Sequence, residues 1–263
     1  MAAQSQLNLS NNDALVLSLV FDPESSGPFS SILIDPTCPP SLPHISADLL
    51  RILQFTELTA IQPLNIPAPS PSLIQHALAQ LTDLVTAHPT YASAYNNRAQ
   101  ALRLLLGDDL RSEAVQRSTL WSDLCKAIAL ATPAAVGARV SALQGNVLSA
   151  AHAQRGHLLW KAANSFGDNY GLEVGGDRGK GEKWEEKCSG QLLPEPLRGI
   201  GRAGLEEMAN LDFEIAGRYG DRGARKVAAS TNPYARLCGD IVKEAMRAEI
   251  EGNSLLRGSP RLL

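Results

Sequence analysis

Five histidines, at positions 44, 76, 88, 152 and 157, are the first residues to weigh as ligands or bases. His152 and His157 are five apart, about 140° around a helix, so they do not share a face as metal ligands four apart would. The cysteines at 38, 125, 188 and 238 are scattered and form no CxxC pair. That spacing suits neither a zinc site nor a disulfide framework, and reads as reduced thiols. Glu206 and Glu207 are adjacent and diverge on a helix. No serine sits in a GxSxG turn. Lys180 lies among Gly175, Gly176, Gly179 and Gly181. A phosphate-binding loop would follow the lysine with Ser or Thr after a strand, and here Gly181 follows and no strand precedes. No catalytic residue, metal or cofactor is expected, so the chain reads as a non-enzyme.

Composition narrows the class further. With 44% hydrophobic and 19% charged residues in 263, the chain can bury a core. A net charge of −3 and a pI near 6.0 speak against a dedicated nucleic-acid binder. The first cationic side chain is Arg51 and the first lysine is Lys126. Neither a secretory signal nor an arginine-rich transit peptide is expected from that start. The longest clean apolar stretch, residues 14–21, is too short to span a bilayer. The expected location is the cytoplasm, with the nucleus as a second compartment.

Prolines divide the chain. Ten of the 16 lie between Pro23 and Pro71, which breaks that region into short pieces. Residues 1–45 read as a Pro-rich extension with one short helix at 13–21, capped by Asn11 or Asn12. Residues 47–61 carry a helical apolar stripe after Ser46, and 63–71 read as a linker. Further helices are expected at 72–88, 92–106, 110–131, 136–166, 202–218 and 233–250. Very little sheet is expected. Residues 167–201 are rich in Gly and charge without apolar period, and read as a mobile, dispensable insertion. Residues 251–263 read as a frayed tail.

Paired helices of similar length invite a repeat search. In residues 92–133 the bulky Tyr95, small Ala99, large Leu124 and small Ala127 follow the tetratricopeptide order, with extra length at 111–119. Upstream, Ala77, Leu81 and Pro89 fit the second helix of an earlier unit, whose first helix would be 48–61. Downstream, Arg155-Gly156 fit a first helix, and Ala209, Phe213 and Ala216 a second. The fold class expected is all-α: a tetratricopeptide-repeat superhelix of about three repeats with a C-terminal cap. The repeats fall at about 46–89, 92–133 and 136–220, the last interrupted by 167–201, and the capping helix at about 232–250.

Several segments carry a family resemblance. NNDALVLSLVFDPESSGPFSSILID, ASAYNNRAQALRLLLGD, HAQRGHLL, LEEMANLDFEIAGRYG and NPYARLCGDIV occur in that order. The chain resembles the tetratricopeptide repeat protein 36 family, and the stretches at 36–47, 62–71, 108–119 and 167–201 lack a counterpart there. The resemblance implies a protein-binding adaptor linked to tyrosine catabolism, through a metabolic enzyme, or to chaperone association. First helices would line a concave groove. By spacing, the groove-facing residues are Asn96, Asn97, Gln100 and Arg103 in the second unit, and Gln154, His157 and Trp160 in the third. Amides suit peptide backbones because they both donate and accept.

The carboxylate clamp of some co-chaperones needs Lys, Asn, Asn, Lys and Arg, and only Asn97 is kept; the other positions fall near Ile52, Thr56, Ala150 and Gln154. A one-residue slip would bring Arg155 into the groove without completing the clamp. Trp121 and Trp160 are expected to pack between helices, with Trp184 as an exposed contact. In the last helix Asn232 is the cap, and Tyr234 and Leu237 anchor it to the third repeat or to a partner. The alternative to an adaptor is a structural subunit whose groove is filled by its own N-terminal segment, residues 13–21.

Overall fold

A computed structural model describes residues 33–135, 138–166, 193–231 and 246–247. Eight helices lie among them: α1 Ala47–Ile61, α2 Pro71–Ala87, α3 Ala92–Leu106, α4 Glu113–Arg117, α5 Leu120–Ala131, α6 Ala142–Asn164, α7 Arg202–Arg218 and α8 Arg222–Thr231. The described residues hold no strand, and one isolated bridge joins Ile34 to Val140. The fold is all-α.

Local chemistry sets the ends. Ser46, Ser70 and Ser141 each accept from the backbone N–H three residues on, which caps α1, α2 and α6. Pro71 follows its cap in the first turn, where a missing N–H costs nothing. Gly107 ends α3 at φ 84°, and Gly220 turns the chain after α7 at φ 96°, a region glycine enters without strain. Asp221 then accepts from Ala224 N at 2.9 Å and starts α8.

Each helix packs on the next: α1 on α2, α2 on α3, α3 on α5, α5 on α6, α6 on α7 and α7 on α8, while α3 also meets α6. The main core joins Leu124, Leu158, Leu159, Leu205 and Phe213. A second cluster joins Leu50, Leu53, Leu84, Tyr91 and Leu148, and a small third one surrounds Leu81.

Three expectations need correction. The helix expected over 110–131 is broken between α4 and α5. Ser118 Oγ donates to Val115 O at 2.7 Å and accepts from Leu120 N, so the backbone is satisfied without continuing the helix. The helix expected from 136 starts only at Ala142, because Val140 pairs with the N-terminal segment and Ser141 caps. The stretch 193–201 is a packed element and not a mobile loop: Leu193 and Leu197 are fully buried in the main core around a 3-10 turn at Glu195–Leu197. Residues 167–192, the helix expected at 13–21 and nearly all of the one expected at 233–250 lie outside the described residues.

The extension is not detached from the helices. Leu33 N donates to Arg218 O, Val140 N to Leu33 O and Asp35 N to Val140 O, each at 2.8 Å. Ser141 Oγ donates to Ser41 O at 2.9 Å. Ile34 rests on Gly145, where an added Cβ would stand 2.6 Å from Ile34 Cγ1. Gly145→Val should therefore push this arm off and cost about 2 kcal/mol. The double variant Gly145→Val, Ile34→Ala should be no less stable than Ile34→Ala alone, measured by urea unfolding.

Candidate partner-binding face

The first helices of the three pairs, α1, α3 and α6, are tied side by side by polar groups. Glu57 on α1 accepts from Tyr91 Oη at 2.6 Å, Ser93 Oγ at 3.0 Å and Asn97 Nδ2 at 2.8 Å. The carboxyl is buried, and burial pushes its pKa above the ordinary carboxylate value despite these three donors. Burial, with the Glu57 charge, pushes the Tyr91 phenol up as well.

From α3 to α6 the chain of bonds continues. Gln154 Nε2 donates to Asn96 Oδ1 at 2.9 Å, and Arg103 Nη1 to Gln154 Oε1 at 3.3 Å. Arg103 Nε donates to Asp108 at 2.6 Å, and His157 Nε2 stands 3.5 Å from the same carboxylate. Burial raises Asp108, but the Arg103 hydrogen bond and charge outweigh it and hold the group below its usual range. Burial and the Arg103 charge hold His157 below its usual range, against the pull of Asp108.

The seven residues expected to line a groove separate into two sets. Asn96 and Gln154 are buried against each other, Asn97 is committed to Glu57, and Arg103 is held by Asp108. Gln100, His157 and Trp160 face solvent, with the His157 and Trp160 rings 6.5 Å apart. Trp160, expected between helices, is 38% exposed, while Trp121 packs on the main core as expected. Leu104, 48% exposed and one turn after Gln100, joins this surface. A leucine in a helical stripe reads as core, so nothing in the spacing distinguishes it. Asn232, Tyr234, Leu237 and Trp184 lie outside the described residues.

Behind this face, two ion pairs repeat one geometry. Arg98 on α3 grips Asp123 on α5 with Nε at 2.8 Å and Nη2 at 2.7 Å. Arg155 on α6 grips Asp212 on α7 with both at 2.8 Å. Each arginine precedes the small residue of a first helix, Ala99 or Gly156. Each aspartate precedes the large residue of a second helix, Leu124 or Phe213. Arg155 is therefore turned to its own hairpin partner. His152 Nδ1 adds a contact to Asp212 at 2.7 Å. Burial raises Asp212, but the hydrogen bonds from Arg155 and His152 prevail and depress it. Among the described residues no cluster of three His, Cys, Asp or Glu could hold a metal ion, and no helix is long and apolar enough to cross a membrane.

The Glu57 shift has a measurable sign. A carboxyl raised in the folded state above its ordinary 4.5 favours folding most below that pH. Its contribution declines as pH rises toward the folded value. Glu57→Gln should therefore lose less stability than the parent chain between pH 4.5 and 7, read from urea midpoints. Parallel pH slopes would contradict this.

Fold and face together define an all-α array of helix hairpins with a polar network across its first helices. The chain is 41% identical over 262 residues to the L-tyrosine degradation gene cluster protein hmgX of Aspergillus fumigatus, covering 94% of this chain and 96% of that one. It belongs to the family of that protein. No protein-family model matches the chain, and no solved structure does.

Proposed function

We propose that the chain is a non-catalytic adaptor in L-tyrosine degradation, a three-repeat tetratricopeptide superhelix that holds a partner protein against α1, α3 and α6. The observation that carries this reading is the exposed set Gln100, Leu104 and Trp160, with half-buried His157 beside Trp160. These project from helices whose Asn96, Asn97 and Gln154 amides are already held, Asn96 and Gln154 by each other and Asn97 by Glu57. A surface fixed in advance loses little side-chain freedom on binding. The recurrence of the Arg98–Asp123 geometry at Arg155–Asp212 supports the repeat assignment. The relative's name supports the tyrosine link.

A metabolic enzyme suits this face better than a chaperone tail. Asn97, the single clamp position present, donates to the Glu57 carboxylate, and a second carboxylate there would meet a like charge. The adaptor works in the cytoplasm under this reading. The self-filled alternative turns on residues 13–21, which lie outside the described residues; the arm at 33–41 bonds to Val140, Ser141 and Arg218, away from the exposed Gln100 and Trp160.

The test is growth on L-tyrosine of cells in which the native copy is replaced by Gln100→Arg, Trp160→Ala. Impaired growth, with the variant's abundance and thermal midpoint unchanged, is the expected result. Full growth would contradict a role for this face.

A further inference from the structure

The outer end of the array carries an apolar face. Ile52, Phe55 and Leu58 on α1 are 63%, 73% and 55% exposed. Phe55 borders a groove of about 480 Å³ between α1 and α2, floored by Leu53 and Leu84 and rimmed by Gln80, Asp83 and His88. In a repeat array this is where the second helix of a preceding unit would lie, and terminal units normally present a polar surface there. A bare phenylalanine at that position calls for a cover.

We propose that residues 13–21 of the same chain are that cover, seated along the groove over Phe55. The stretch DALVLSLVF supplies seven apolar residues and opens directly after Asn11 and Asn12. Its tether is long enough. From Phe21 to Leu33 there are 12 steps, which carry Pro23 and Pro28. Extended, they reach roughly 40 Å. Leu33 is fixed beside α6 and the end of α7. The route from α6 through α3 and α2 to α1 is three helix contacts, about 30 Å at 8–10 Å each. A tether of this length gives the segment an effective concentration near millimolar, above that of a second copy or a partner at micromolar levels. With the end capped this way, the face of α3 and α6 stays open.

The test uses the full-length chain. Leu17→Asp and Phe55→Asp should each lower the thermal midpoint by about 5 °C. The double variant should fall no further than either single, because both remove one contact. A labelled synthetic peptide of residues 11–22 should bind the Leu17→Asp chain, whose groove is vacated. It should bind neither the parent chain nor the Leu17→Asp, Phe55→Asp double variant. Additive shifts, or a Leu17→Asp chain that melts as the parent does, would overturn the proposal. A parent dimer by light scattering that Phe55→Asp makes monomeric would also overturn it, assigning the face to a second copy.

Discussion

Asp212→Ala should lower the thermal midpoint by roughly 10 °C. The carboxylate is nearly inaccessible and serves two partners, Arg155 through both oxygens and His152 through Oδ1. Removing it strands a guanidinium and an imidazole in the α6–α7 interface. Breaking a buried pair in this way costs about 3–5 kcal/mol, and a chain of this size loses about 2–4 °C per kcal/mol. The pH dependence follows from the depressed Asp212 pKa. Its contribution is complete above the ordinary 3.8 and fades as pH falls from there through the folded value, so parent and variant should converge only in strong acid. The equivalent Asp123→Ala should cost somewhat less, since Arg98 and Thr119 are its partners and no histidine is stranded. A midpoint shift under about 2 °C for Asp212→Ala would show that the pair is not sealed from water.

Gly156→Leu should cost about 3 kcal/mol, at the upper end of overpacking effects. A Cβ at Gly156 would already stand 3.1 Å from Asp212 Cβ, 3.2 Å from Ala209 O and 3.2 Å from Phe213 Cδ1. Two of these are fixed by the α7 backbone or the Asp212 ion pair, so a larger side chain must drive α6 and α7 apart. The second hairpin places buried Ala99 at the matching position, in one core cluster with Leu124. Gly156→Ala should be milder, because alanine's helix propensity, about 1 kcal/mol better than glycine's, offsets part of the crowding. Urea midpoints for the two variants check the order. Equal stabilities for Gly156→Leu and the parent would mean that α6 and α7 do not approach as closely as described.

Capped, amphipathic helices were legible in the chain. Ser46 and Pro63 bracket α1, Pro89 and Gly107 bracket α3, and 202–218 shows a helical stripe, so bounds agree with the structure closely. The break at Ser118 was not legible, because it depends on a hydroxyl turning back on Val115 O, which no apolar period records. α8 was missed because its buried residues are only Ala224 and Ala228, too small to mark a stripe. Its start signal, Asp221 after Gly220, was present. Leu193 and Leu197 were hidden among prolines in a Gly-rich surrounding.

The candidate face was legible in part. Spacing picks out Gln100 and Trp160, which are exposed, and His157, which is half-buried, along with Asn96 and Gln154, which spend their amides on each other. Spacing places residues on a helix face but cannot tell a free amide from one bonded across to the neighbouring helix. The repeated Arg–Asp pair escaped notice because its two copies differ in separation, 25 residues against 57, the second spanning the Gly-rich insertion. Aligned on Ala99 with Gly156 and on Leu124 with Phe213, the four charged residues coincide.

If the exposed residues of α3 and α6 hold a partner protein, quantitative affinity capture from extracts of the native cells grown on L-tyrosine will find it. The full-length chain and its Gln100→Arg, Trp160→Ala variant serve as paired baits, matched in thermal midpoint. A protein should be retained stoichiometrically by the parent and depleted at least tenfold from the variant, the loss of about 1.4 kcal/mol of binding. Equal retention by both baits would contradict a role for these residues.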